Sequence, residues 1–297
     1  MTGMWKETGV GRAILRVGKV SLSAANRLAL HAFLAAEARR ARVESTALPA
    51  TTLRTGMVAH VFYPELFDEI IACRAHLPDG ADCHVTAPPE VAAAIADRIA
   101  ALPGVHLHVV ANRGRDIAPF LNVLRSGALD HLDAVLKIHS KRSPHLSHGA
   151  LLRRAMFTAL AGRPATVARI LSVMADPKVG MVGWRRVFLT RPRHWHTNRG
   201  RVEELAARLQ PPAHADLAFF GGSMFWFRPQ ALAAIAALPI TAEDFETEAG
   251  QIDGTLHHAL ERLFAISTAA SGYAVADTEG AILLPPSEGL GRPAANL

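Results

Sequence analysis

The 297-residue chain is half apolar, carries 20% charged residues and has a formal net charge of +6, so general disorder is excluded and a sizeable core fits in one large domain or two small ones. Its two cysteines, Cys73 and Cys83, stand in no CxxC or Cys/His spacing, which argues against a zinc module and a disulfide scaffold and suits a reducing compartment. No stretch approaches about 20 uninterrupted apolar residues, and the N-terminus lacks the apolar core and cleavage site of a signal peptide, so neither a transmembrane helix nor secretion is expected.

The first 55 residues form a basic helical extension. From Gly11 to Val43, Arg12, Arg16, Lys19, Arg27, Arg39, Arg40 and Arg42 alternate with apolar residues, and no acid appears there until Glu37. One or two amphipathic helices fit this pattern. They either lie on an anionic membrane or pack on the main domain. From Met57 the pattern changes to alternating strands and helices. Met57–Phe62 is a strand, and Pro64 opens a helix through His76. Ala81–Thr86 is a strand, 88–102 a helix, Val105–Val110 a strand and Asp116–Leu124 a helix. Ala134–His139 is the fourth strand, followed by helices over 151–161 and 164–175 and a short strand at Val179–Val182. Residues 185–201 read as basic and irregular. Ser223–Phe227 is a strand, 229–237 a helix, 253–264 a helix and Tyr273–Ala276 a last strand. The tail from 285 to 297 reads as loose. Residues 56–284 therefore make an α/β domain, a mostly parallel sheet flanked by helices. In such sheets ligands bind at the carboxyl ends of strands, which points to the segments after Val110, Ile138 and Phe227.

Four segments there carry chemistry. Asn112-Arg113-Gly114-Arg115-Asp116 sits between a strand and a helix. Asp116 is placed to cap that helix, and two arginines at a helix start make an anion site, against the alternative of a capped turn with solvated arginines. Lys137-Ile138-His139-Ser140-Lys141-Arg142-Ser143 ends the fourth strand. Alternation puts Lys137, His139 and Lys141 on one side while the extension lasts. Charge inside a covered sheet is costly, and a site able to hold a diphosphate is one way to offset it; a basic surface loop is the other reading. Gly222-Ser223-Met224-Phe225-Trp226-Phe227 is an aromatic strand opened by glycine, in which Trp226 either packs in the core or stacks on a ligand. Finally, Asp253, His257 and Glu261 share helical spacing and resemble an acid/base set, or else a cap with surface ion pairs to Arg262.

These segments, with His60-Val61-Phe62-Tyr63-Pro64 and His258-Ala259-Leu260-Glu261-Arg262, resemble the rhamnan synthesis protein F family of bacterial polysaccharide biosynthesis over roughly residues 57–265. The resemblance implies a GT-A-like, Rossmann-like fold and transfer of a deoxyhexose such as rhamnose from a nucleotide-diphosphate sugar to a lipid-linked, growing glycan. It implies Arg113, Arg115, Asp116, Lys137, His139, Lys141 and Arg142 as the donor site. Asp253 is then the base on the acceptor hydroxyl, with Glu248 or Glu246 as substitute, and Ser223, Trp226 and His257 lie on the acceptor side. Most GT-A enzymes hold a divalent metal through Asp-x-Asp. Here His139-Ser140-Lys141 fills that place, so no cofactor is expected, although Asp116 remains as an alternative cation ligand. The implied setting is cytoplasmic, with residues 12–42 as a peripheral membrane contact and no nucleic-acid partner. The alternative is a non-catalytic module that binds a glycan or a partner of an assembly complex.

Overall fold

A computed structural model describes residues 9–42, 51–142, 147–214 and 216–287, with side chains from Ala24 onward. The chain divides into two units. The smaller spans residues 1–44 and 141–158, the larger 45–140 and 159–297.

The chain begins with α1 (Gly9–Arg40), one unbroken helix rather than two. Arg39 and Arg40 occupy its last turn, where cations complement the helix dipole, and Arg40 Nη1 pairs with Glu37 Oε1 at 3.0 Å. The side chains of residues 12–23, part of the expected membrane contact, lie outside the described residues. Among the described residues no helix is long and apolar enough to cross a membrane.

Next come β1 (Thr55–His60), a 3-10 turn at Pro64–Leu66, α2 (Phe67–Arg74), β2 (Asp82–Ala87), α3 (Pro89–Ala100), β3 (Val105–Val109), α4 (Ile117–Arg125) and β4 (Ala134–His139). Then follow α5 (Gly149–Ala161), α6 (Pro164–Met174), β5 (Val179–Gly183), β6 (Phe188–Leu189), α7 (Arg199–Ala207), β7 (Phe219–Phe220) and β8 (Phe225–Phe227). A 3-10 turn at Pro229–Leu232 leads into α8 (Ala233–Ala236), and α9 (Leu256–Ala270), β9 (Ala274–Asp277) and β10 (Ile282–Leu284) complete the described chain.

Eight strands form one sheet in the order β10-β9-β5-β8-β4-β1-β2-β3. The half containing β4, β1, β2 and β3 is parallel, and so is the pair β5 and β9. β8 runs against both of its neighbours, β4 and β5, and β10 runs against β9. The architecture is Rossmann-like α/β. β6 and β7 make a separate antiparallel pair.

Strand pairing sets Val58 beside both Lys137 and His84, and His60 beside both His139 and Thr86. Because side chains alternate, these six residues share one sheet face. Phe225 joins them opposite Lys137. That face is covered by α4 and α9, and Phe120, Phe225, Phe227 and Phe264 fill the space with edge-on ring contacts of 5.3–5.5 Å between Phe120 and its neighbours Phe227 and Phe264. The residues between these along each strand face the other way. Trp226 is fully buried there, and its indole N–H donates to Leu160 O at 2.9 Å.

Three differences from the sequence reading have local causes. The stretch read as irregular gives way to α7, whose inward stripe is only Val202, Leu205 and Ala206. Helix α9 starts at Leu256 rather than Asp253, with Thr255 in the N-cap position. Finally, Asp116 stands at the N-cap of α4, but its carboxylate caps nothing and turns inward instead.

Candidate functional site

The carboxyl ends of β1, β2 and β4 meet the loop that enters α4. Gly114 and Arg115 in that loop both have positive φ, +64° and +52°. Glycine adopts this backbone freely, whereas Arg115 is held there against its preference. Position 114 also tolerates no side chain, because a Cβ would come within 2.5 Å of the Phe245 ring and 2.7 Å of Ala118 Cβ. This tight path delivers Asp116 to the sheet.

Asp116 Oδ2 receives Lys137 Nζ at 2.6 Å and stands 3.3 Å from His139 Nδ1. Lys137 Nζ also donates to Ser223 O at 2.7 Å and Ser223 Oγ at 2.8 Å, so all three ammonium protons are used. The rings of Phe120, Phe225 and Phe264 surround it at 5.1, 5.7 and 6.0 Å. The lysine is only 1% exposed. Burial would raise the Asp116 pKa, but the His139 and Lys137 charges and their hydrogen bonds outweigh it and hold the carboxyl well below its usual range. The space between Val58, His60, Thr86, Asp116, Phe120 and Lys137 has no room for a water molecule. Ser223 adopts φ +53°, a second strained residue, and presents both of its oxygens to the amine.

His60 Nδ1 lies 3.0 Å from Thr86 Oγ1. Burial, with smaller contributions from the neighbouring His139 and Lys137 charges, pushes its pKa down to about 4 against the opposing pull of Asp116, so it is neutral at pH 7. Ser140 Oγ accepts the amide protons of Phe62 and Tyr63 at 2.8 and 3.0 Å and so pins the chain leaving β1 to the end of β4. His60 and Thr86 were not among the expected site residues. The signal was present: His60 ends β1, the strand beside the one carrying Lys137 and His139, and Thr86 lies near the end of β2, one strand further along.

At the rim, Arg115 Nε reaches Glu248 Oε2 at 3.3 Å, and its Nη2 donates to Gln251 O. Glu248 Oε1 is buried without a hydrogen-bond partner. Arg113 Nη1 makes two long bonds, 3.4 Å each, to the carbonyls of Ala242 and Glu243. His257 is buried with Thr255 Oγ1 3.0 Å from its ring nitrogens, and burial, His258 and Arg115 push its pKa down to about 3.

The remaining candidates lie elsewhere. Asp253 accepts Thr197 N at 3.1 Å, Thr197 Oγ1 at 2.9 Å, Asn198 Nδ2 at 2.7 Å and Arg262 Nη2 at 3.3 Å. Burial would raise its pKa, but these donors keep it below the usual carboxylate value, which makes it a poor base. Glu246 is likewise engaged, by Leu256 N at 2.9 Å and Arg201 Nη1 at 2.6 Å. Glu261 accepts the Gly222 amide at 2.7 Å. Trp226, expected on the acceptor side, has no open ring face because it is wholly buried. Lys141 and Arg142 fall in the smaller unit, where Lys141 O accepts Arg153 Nη1 at 2.8 Å and Arg142 is exposed.

Chemically, the cluster is a pre-ionised carboxylate beside an imidazole, with arginines at its edge. Such a set can orient a proton acceptor and attract a phosphate. It does not suit a divalent cation, because its one carboxylate is already neutralised by Lys137. Among the described residues, no three His, Cys, Asp or Glu side chains stand ready around a metal position.

Residues 19–273 match the model of a family described as "Rhamnan synthesis protein F". Two curated proteins of Xanthomonas campestris pv. campestris, both named "Uncharacterized protein WxcX", are similar to the chain. The one from strain B100 is 34% identical and the one from strain ATCC 33913 is 33% identical, each over 230 residues and 75% of this chain. The chain spans about a third of their length, 32% in both cases.

Proposed function

The chain belongs to the rhamnan synthesis protein F family, and from that premise we propose that its α/β unit transfers a sugar, a deoxyhexose such as rhamnose, from a nucleotide-diphosphate donor to a growing surface glycan. The observation that carries the reading is the Asp116–His139 pair at the carboxyl end of β4, flanked by Arg113 and Arg115. Open α/β sheets bind ligands at this end. Arg113 and Arg115 hold the diphosphate through guanidinium protons not taken by Glu248 and the backbone carbonyls. Glu248 Oε1 accepts a sugar hydroxyl. His139, oriented by Asp116, takes the proton of the attacking acceptor hydroxyl, a role that Asp253 is too thoroughly hydrogen-bonded to fill. Lys137 keeps Asp116 ionised and in place. The charge of the leaving diphosphate is met by arginine rather than by a metal.

A module that only binds glycan through Trp226 is less well supported, since that ring is enclosed in the core. The test is sugar transfer from nucleotide-rhamnose to a lipid-linked acceptor in the presence of EDTA. Transfer that persists in EDTA and is lost in His139→Ala supports the proposal. Strict dependence on Mg²⁺ or Mn²⁺ overturns the metal-free reading, and glycan binding without any nucleotide binding overturns the enzyme.

A further inference from the structure

The stretch from Val179 to Val202 contains no acidic residue but holds six arginines, Arg185, Arg186, Arg191, Arg193, Arg199 and Arg201. The proposed transfer uses none of them. β4 and β5 both run against β8, so they are parallel to each other. The arginine-rich stretch therefore leaves β5 at the same end of the sheet as His139 leaves β4.

The stretch is braced from within. β6 pairs with β7, and Gly221 N donates to Val187 O at 2.8 Å. Trp195 and Asn198 are buried, and Arg262 Nε donates to His194 O at 3.0 Å. All six arginines are left exposed. Three of them turn to carboxylates: Arg185 Nε to Asp277 Oδ2 at 2.6 Å, Arg199 Nε to Glu203 Oε1 at 2.8 Å and Arg201 Nη1 to Glu246 Oε1 at 2.6 Å. Among the described residues, Arg186, Arg191 and Arg193 pair with no carboxylate. Their neighbourhood is positive throughout. Burial, and then the charges of Arg193, His196, Arg191 and Arg262, lower the His194 pKa.

We propose that this face docks on an anionic lipid bilayer through Arg186, Arg191 and Arg193. Between these cations lie Val187, Phe188 and Leu189, all partly exposed. Unneutralised guanidinium groups interleaved with half-buried apolar side chains suit the boundary between lipid phosphates and acyl chains. A nucleic acid would instead call for aromatic faces open to stacking. The rings here turn inward: Phe188 packs on Phe220 at 5.0 Å, and Trp195 is buried. The face belongs to the larger unit and is separate from residues 12–42. It sets the sheet end that carries His139 toward the bilayer, where a lipid-linked acceptor would be presented. The contact itself does not depend on the transfer reaction.

The experiment is co-sedimentation of the full chain with vesicles of phosphatidylglycerol and phosphatidylcholine, and with vesicles of phosphatidylcholine alone. Salt is held at about 0.1 M, where charges beyond about 10 Å are screened. No sugar donor is present, so failure here leaves the transfer reading standing. The expected result is binding to the anionic vesicles alone. The variant Arg186→Gln/Arg191→Gln/Arg193→Gln should melt as the wild type does and bind about a hundredfold more weakly, about fivefold for each arginine. The variant Arg27→Gln/Arg39→Gln/Arg42→Gln removes the same charge from exposed positions of α1 and should lose far less. Failure of the wild-type chain to bind anionic vesicles overturns the proposal. So does wild-type binding by the first variant, or an equal loss in both variants, which would reduce the effect to net charge. Displacement from the vesicles by duplex DNA at equal phosphate concentration would identify a nucleic-acid face and overturn it as well.

Discussion

Asp116 at the start of α4 and Asp253 just ahead of α9 occupy similar positions. Each stands near a glycine with positive φ, Gly114 or Gly254, and each is in reach of a cation. Their surroundings differ in kind. Asp116 faces an ammonium and an imidazole inside the sheet, within a wall of phenylalanine rings. Asp253 faces mainly neutral donors at the entrance to α7, Thr197 and Asn198, and also Arg262. A carboxylate held by neutral donors ties segments together. One held between a buried cation and a histidine keeps its charge available to the histidine. Under the proposed function, this contrast favours chemistry at the α4 entrance and bracing at the α9 entrance.

The sharpest way to break this contrast is to remove the buried cation. Lys137→Ala leaves the Asp116 carboxylate without its counter-ion and is expected to lower stability by about 3–5 kcal/mol, read as a shift in the denaturant midpoint. A change inside 1 kcal/mol would mean that Asp116 is solvated rather than locked. Next in size is catalysis. His139→Ala should lower kcat for sugar transfer by about 10²–10⁴-fold while the protein still melts cooperatively. Asp253→Asn should leave kcat of the folded fraction near the wild-type value, and the opposite pattern would exchange the two roles.

Acid sharpens the comparison further. His60 and His257 have folded pKa values of about 4 and about 3, below the ordinary 6.5. The unfolded chain therefore binds more protons as pH falls below about 6.5, and stability declines from there by about 1.4 kcal/mol per pH unit for each histidine at most. Asp116 has the opposite timing. Its depressed pKa contributes fully above the ordinary carboxylate value of 3.8, and that contribution is lost only below it. Denaturant titrations between pH 4 and pH 7 should show the histidine slope, and His257→Gln should flatten it. The smallest effect expected is on the brace: Asp253→Asn should cost about 1–2 kcal/mol, seen as a modest fall in melting temperature.

Much of the fold was readable because the strands β1 to β4 and their helices have clean apolar runs broken by Pro and Gly. The short pair β6 and β7 and helix α7 were not, since each buries too few residues to leave a periodic trace. At the candidate site, the argument that a lysine inside a covered strand demands an explanation led to the segment where Lys137 is buried and paired. It could not show that the partner is Asp116, 21 residues away, because a carboxylate one position before a helix looks like a cap. The partners of Asp253 were hidden for the same reason: Thr197 and Asn198 lie 56 and 55 residues earlier. Trp226 and Phe225 are neighbours in sequence, and only the alternation of β8 places one against Leu160 and the other against Lys137.

The late place of β8 in the chain also bears on the order of assembly. Strands β1 to β4 leave the ribosome together and can pair while the rest of the chain is still being made. At that stage Lys137 has Asp116 for company, but its other two protons await Ser223, 86 residues further along. A domain of this kind completes its polar centre late, after a long loop has closed. Until then the amine faces a half-built apolar wall, and a chain cut short before Ser223 would carry a charged flaw at the middle of its sheet.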